Sequence, residues 1–179
     1  MALESFELQP PAYVRVRLKA RAPSKLAGLG NRAIFDGPMT ALFCSSRCPG
    51  DRLLRTYEYV QNLRDRGVTV ISGFHSPIEK ECLRILLRGR QFIIICPART
   101  LKGMVIPADW QRALDTGRLL LLSPFPPTQR RASLASANRR NELVAALSDE
   151  VFIAHITPGG QMERTLERAK TWRIPISSP

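Results

Sequence analysis

From Met39 onward the chain alternates two kinds of segment, and nothing else in it constrains the fold so tightly. Short runs that are apolar almost throughout, TALFC, VTVIS, FIIIC, RLLLLS and EVFIAH, are separated by longer stretches with one apolar side. A strand that is apolar on both faces needs cover on both faces, and helices between parallel strands provide it. Helices are expected over Gly50 to Arg66 (Leu53, Tyr57 and Val60 inward), Pro77 to Arg88 (Ile78, Cys82, Ile85 and Leu86 inward), Pro107 to Thr116, Ala135 to Leu147 and Gly160 to Trp172. IPIS closes the series as a last short strand. The expected fold is a doubly wound, mostly parallel, Rossmann-like α/β sheet occupying 39–179 as a single domain.

Residues 1–38 are expected to form a short N-terminal arm. They carry Pro10 and Pro11, the basic segment YVRVRLKAR and a Gly-rich stretch, AGLGN. Tyr13, Val14, Val16 and Leu18 alternate with Arg15, Arg17, Lys19 and Arg21, which reads as a short strand with one cationic face.

Lys and Arg outnumber Asp and Glu by 27 to 15, a formal charge of +12. Such an excess suits a polyanionic partner, because neutralising phosphates releases counterions. No apolar run approaches the roughly 20 residues of a spanning helix, and MALESFELQPP lacks the basic and apolar regions of a signal peptide. Cys44, Cys48, Cys82 and Cys96 lack the spacing of a secreted disulfide scaffold, so reduced thiols and a cytoplasmic location are expected.

In a doubly wound sheet, ligands bind beyond the carboxyl ends of the strands, where the strand order reverses. The segments that fall there are FCSSRCPG, SGFHSPIE, CPARTLKG, SPFPPTQRR and HITPGGQ. Ser46 and Arg47 follow the first of the apolar strands, and an arginine fork there suits a phosphate. Ser72 and Gly73 form the turn after the second. Ser76, Pro77 and Glu79 then make an S-x-x-E capping box, which explains Glu79 as a capping residue without a catalytic role. Gly159 and Gly160, after an apolar strand and before a helix, suit a phosphate cradle. Arg139 and Arg140 sit in the first turns of the helix that carries Leu143, Val144 and Leu147, with Asn141 next in the chain, and Arg130, Arg131 and Arg139 extend a basic track.

Other chemistries find less support. Cys44, Cys48, His75, Cys96 and His155 share the rim, but no C-x₂-C or H-x₃-H pair occurs, so no metal is assigned. A Cys44/His75 nucleophilic pair lacks an orienting acid. Neither GxGxxG nor a Walker A sequence is present. No catalytic residue and no cofactor is assigned.

Together these segments resemble the DNA-processing protein A family (DprA, or Smf), part of the Rossmann-like SLOG superfamily. Ser45-Ser46-Arg47 resembles the family's G-S-R turn, and SGFHSPIE its S-G-G-A-x-G-I-D turn, with Ser72, Gly73, Ile78 and Glu79 in register. RNELVAALSDEV is similar to its R-N-R-I-I-A-G-L-S-D-A-V block at Arg140, Asn141, Ala145, Leu147, Ser148, Asp149 and Val151; Gly159-Gly160 corresponds to a later S-G turn. Phe74 stands in place of the second glycine, Glu79 of Asp, Glu142 of Arg and His155 of Glu. The resemblance implies binding of single-stranded DNA and a part in DNA processing. The expected protein is a non-catalytic binder of a single-stranded nucleic acid backbone, with homodimerisation left open and no membrane partner. The alternative is a binder or hydrolase of a free nucleotide, similar to the Lonely Guy phosphoribohydrolases, of whose P-G-G-x-G-T-x-x-E loop PGGQMERTLE keeps only P-G-G.

Overall fold

A computed structural model describes residues 5–45 and 47–179. The elements are β1 (Ser5–Leu8), α1 (Ala12–Leu18), β2 (Leu26–Gly30), β3 (Thr40–Phe43), α2 (Gly50–Asp65), β4 (Val70–Ser72), α3 (Pro77–Leu87), β5 (Ile93–Ile95), α4 (Ala108–Asp115), β6 (Leu119–Ser123), α5 (Leu134–Leu147), β7 (Glu150–Ile153), α6 (Gln161–Thr171) and β8 (Ile176–Ser177), with 3-10 turns at Lys19–Arg21 and Arg32–Asp36. They build one 8-stranded sheet in the order β1-β2-β6-β5-β4-β3-β7-β8. From β6 to β8 every pairing is parallel, and β1 and β2 add an antiparallel edge. The doubly wound α/β fold expected from the apolar runs is therefore present.

Strand alternation sends the apolar side chains to two cores. Ala41, Phe43, Ile71, Ile94, Leu120 and Leu122 face α1, α5 and α6 through Val14, Leu18, Leu143, Val144, Leu147 and Ala169. Leu42, Val70, Ile93, Ile95, Leu119 and Leu121 face α2, α3 and α4 through Val60, Leu63, Cys82, Leu86, Ala113 and Leu114. Both faces of the central strands are buried, which is why their sequences show no polar alternation. Among the described residues no helix is long and apolar enough to cross a membrane.

The strand expected at Tyr13 to Leu18 is instead helix α1. Val14 and Leu18, four residues apart and so on one helical face, are buried against α5. The alternating basic residues serve a different end: Arg17 Nη1 donates to the carbonyls of Ala146 at 2.8 Å and Ser148 at 3.3 Å, closing the C-terminal end of α5. The Gly-rich stretch contains β2, whose pairing with β6 attaches the N-terminal residues to the main sheet.

Gly28 is the residue that makes that edge work. It lies opposite Phe6 in the β1–β2 ladder, and a Cβ at Gly28 would sit 2.3 Å from the Phe6 ring. Gly28→Ala should lower stability by about 1–2 kcal/mol as the ring is displaced. In a Phe6→Ala background the same change should be neutral or stabilising, since glycine is a poor strand residue. Urea melts of the four proteins measure this; equal effects in the two backgrounds would contradict the assigned contact.

Candidate functional site

The turn from β4 to α3 is built around one carboxylate. Ser76 caps α3, its hydroxyl accepting the Glu79 N–H, and Pro77 occupies the first helical turn. Glu79 turns back, and its Oε2 accepts the N–H groups of His75 at 2.9 Å and Ser76 at 3.1 Å. Its Oε1 reaches further, to the Cys44 N–H at 3.1 Å, just beyond the end of β3. The side chain thus joins two neighbouring strand ends, and it is only 6% exposed. Here the protein itself supplies the anion that the helix N-terminus and turn could otherwise bind. Capping is borne out as the role of Glu79, and the role extends across the rim.

Beside it lies a buried arginine. Arg140 is 4% exposed, and its Nη1 donates to the Cys96 carbonyl at 2.8 Å. Its Nε donates to Asn141 Oδ1 at 2.7 Å. The guanidinium lies over Gly73 so closely that a Cβ there would fall 1.5 Å from Nη1. Gly73 is therefore required for close approach, by a protein side chain. Burial lowers the Arg140 pKa from its ordinary value and the Glu79 carboxylate opposes that shift, so the guanidinium keeps its charge. Ser72 is fully buried; its hydroxyl accepts the Phe74 N–H, and its carbonyl accepts the Cys96 N–H.

The strand order reverses between β3 and β7. The turns beyond them are joined: Ser45 N–H donates to the His155 carbonyl at 3.0 Å, and Ser45 Oγ accepts the Thr157 N–H at 3.1 Å. Gly159 has φ +74°, which favours glycine, and its N–H is held by Glu163 Oε2 at 2.9 Å. Gly160 caps α6 and donates to the Thr157 carbonyl. Arg47 is exposed in the same β3–α2 turn, and Ser46 lies outside the described residues. The turns after β3, β4, β5 and β7 thus meet at one rim.

The basic track is divided. Arg130, Arg131 and Arg139 are all exposed, whereas their neighbour Arg140 is buried. Arg139 lines a cleft of about 730 Å³ at the antiparallel edge, away from the β3–β7 switch. Sequence reasoning named the CPARTLKG segment but passed over Arg99, which follows the end of β5 by four residues, as Arg47 follows β3. Its Nε is buried without a hydrogen-bond partner. The matching offset from an apolar strand was the available signal. Glu142, in place of a basic residue, pairs with Arg21 at 3.1 Å and with Arg168, clasping the N-terminal segment and α6 to α5.

Three of the four thiols are buried, and Cys48 is half-exposed. Burial, reinforced by Cys48, raises the Cys44 pKa, and burial pushes Cys82 and Cys96 up to about 12. Among the described residues no group of three or more His, Cys, Asp or Glu is placed to hold a metal ion.

Comparison with known proteins fits this geometry. The profile of one family, described as DNA recombination-mediator protein A, matches residues 9–170. No curated protein shows significant sequence similarity to the chain. Among solved structures, DNA processing protein A from Helicobacter pylori, described with a unique single-stranded DNA binding mode, is similar with a TM-score of 0.78 and 20% identity, over 99% of this chain and 81% of that one. DNA processing protein A from Streptococcus pneumoniae gives the same TM-score of 0.78 and 20% identity, over 99% of this chain and 63% of that one. The molybdenum cofactor binding protein of Rippkaea orientalis is more distant, with a TM-score of 0.55 and 13% identity over 79% of this chain and 75% of that one.

Two measurements check the site. Glu79→Gln places an amide NH₂ against backbone donors and should cost roughly 2–3 kcal/mol of stability in a denaturant melt. An unchanged melting curve would remove Glu79 from the rim's framework. Iodoacetamide at pH 7.5, read by intact mass, should label half-exposed Cys48 first, with Cys44, Cys82 and Cys96 reacting only in denaturant.

Proposed function

As the chain belongs to the DNA recombination-mediator protein A family, we propose that it binds single-stranded DNA by its backbone along the rim just described, without chemistry on the strand. The observation that carries this reading is the convergence of the turns after β3, β4, β5 and β7, with exposed Arg47 on one of them. The solved Helicobacter pylori relative, whose description names a single-stranded DNA binding mode, supports the same class of partner.

The geometry refines how the phosphates are held. The N–H groups of Cys44, His75 and Ser76 already serve Glu79, so the start of α3 has little left for a phosphate. Arg140 contributes by fixing the Gly73 turn and by its field, since one nitrogen is committed to Cys96 and another to Asn141. Direct contact falls to Arg47, to the glycine turn at Gly159 and Gly160, and to exposed Arg130 and Arg131, whereas Arg139 faces the separate cleft at the antiparallel edge. At Gly159 a phosphate competes with Glu163 for the same N–H. Affinity is then dominated by arginine and counterion release, with little base preference. A cytoplasmic setting, in which the four free thiols stay reduced, belongs to this proposal.

Fluorescence anisotropy with oligo-dT at several salt concentrations tests it. Wild-type affinity should fall linearly on a log–log salt plot. Arg47→Ala should weaken binding several-fold and flatten the slope by about 0.7, the share of one phosphate contact. Glu163→Gln should tighten binding by removing a competing carboxylate. Affinity indifferent to salt, or an Arg47→Ala protein equal to wild type, refutes the reading. Glu79→Gln is unsuited to distinguishing a hydrolase, because that side chain holds the rim together whether or not catalysis occurs.

A further inference from the structure

The cleft at the antiparallel edge is a second site in its own right. It lies between the antiparallel β1–β2 pair and the loops that follow β5 and β6, and its volume of about 730 Å³ falls in the usual range for small-molecule sites. Its walls are tied together by the backbone. Thr100 N–H donates to the Gln129 carbonyl at 2.8 Å, joining the two loops. Ser123 Oγ donates to the Arg99 carbonyl at 2.8 Å and accepts the Phe125 N–H at 3.2 Å. The cleft is thus preformed by the fold, and a ligand need not order its walls.

Its lining has two characters. Leu29, Leu101 and Phe125 provide apolar surface, while Lys25, Lys102 and Arg139 provide cations. Among the described residues the one carboxylate in the lining, Glu7, is taken by Lys25 at 2.7 Å. Lys102 and Arg139 have no ion-pair partner among the described residues, and both are exposed. An apolar floor beside two unpaired cations fits a ligand with a flat heteroaromatic body and an anionic end.

We propose that this cleft binds a nucleotide unit, its base against Leu29 and Leu101 and its phosphate on Lys102 and Arg139. The unit is either a free nucleoside monophosphate or one residue of a bound single strand. The second source rests on the rim reading above, and the first does not.

Isothermal titration with adenosine and thymidine monophosphates, and with the corresponding nucleosides, tests the site. At least one monophosphate should bind saturably, and its nucleoside at least ten-fold more weakly. The Lys102→Ala/Arg139→Ala protein should lose at least ten-fold in affinity, and Arg47→Ala should stay within two-fold of wild type. Ala27→Trp, which fills the cleft without altering charge, should also abolish binding, with a melting curve confirming that each variant folds. Failure of both monophosphates to bind wild type, or binding untouched by the double and the Trp variants, overturns the proposal. Oligo-dT separates the sources: a strand residue in the cleft makes oligo-dT compete with the monophosphate, whereas a free ligand binds alongside it. If oligo-dT does not bind at all while a monophosphate does, the rim reading fails and the cleft stands.

Discussion

The rim depends on a carboxylate that is bound by its own backbone. Glu79 accepts hydrogen bonds from three N–H groups on two different turns. Opposite charge lies close by in Arg140, which reaches the turn after β5 through the Cys96 carbonyl. Each partner would be costly to bury alone. Together they are satisfied by hydrogen bonds to fixed backbone groups, and the strand ends after β3, β4 and β5 are locked in register. The flexible side chains that would meet a ligand, Arg47 above all, therefore stand on a rigid base.

Much of the formal charge of +12 is committed to such internal work. Arg17 closes α5, Arg118 donates to the carbonyls of Leu87 and Gln91, and Arg21 and Arg168 share Glu142. Charge counted from composition thus overstates the field offered to a polyanion. What remains for one is the exposed set on the loops beyond the strands, and that set is split between the β3–β7 switch and the cleft at the opposite edge.

The parallel core was legible because full burial leaves a trace: III in β5 and LLLL in β6 are runs too short for helices, and between amphipathic stretches they read as strands covered on both faces. The start of α3 was legible as well, since S-P-I-E specifies a cap by local chemistry alone. The N-terminal residues were not. VRVRL is too short to separate a period of two from one of 3.6, and the deciding fact, α5 packed on Val14 and Leu18, is tertiary. β2 was hidden by its glycines, whose reasons are tertiary: Gly28 faces the Phe6 ring across the ladder, and Gly30 has φ +112° and lies against the Leu119 carbonyl. At the site, Arg139 and Arg140 read alike as a basic pair. One turns outward to the cleft and the other is buried over Gly73, and nothing local distinguishes them.

Phe74 shows how the family's turn can lose a glycine and keep its shape. The backbone there has φ +46°, a left-handed conformation that costs a residue with a side chain roughly 1–2 kcal/mol. A glycine would avoid that cost, and the family pattern places one here. In this chain the ring is 4% exposed and packs into the core formed by β4, α2 and α3. Burying a phenylalanine contributes about 2–3 kcal/mol, enough to offset the strain. The left-handed turn persists because the bonds on either side demand it: Ser72 holds the Phe74 N–H, and Glu79 holds the N–H of His75. The conformation of the turn is thus set by the carboxylate and the serine, and the residue at position 74 can vary as long as its side chain finds a place in the core.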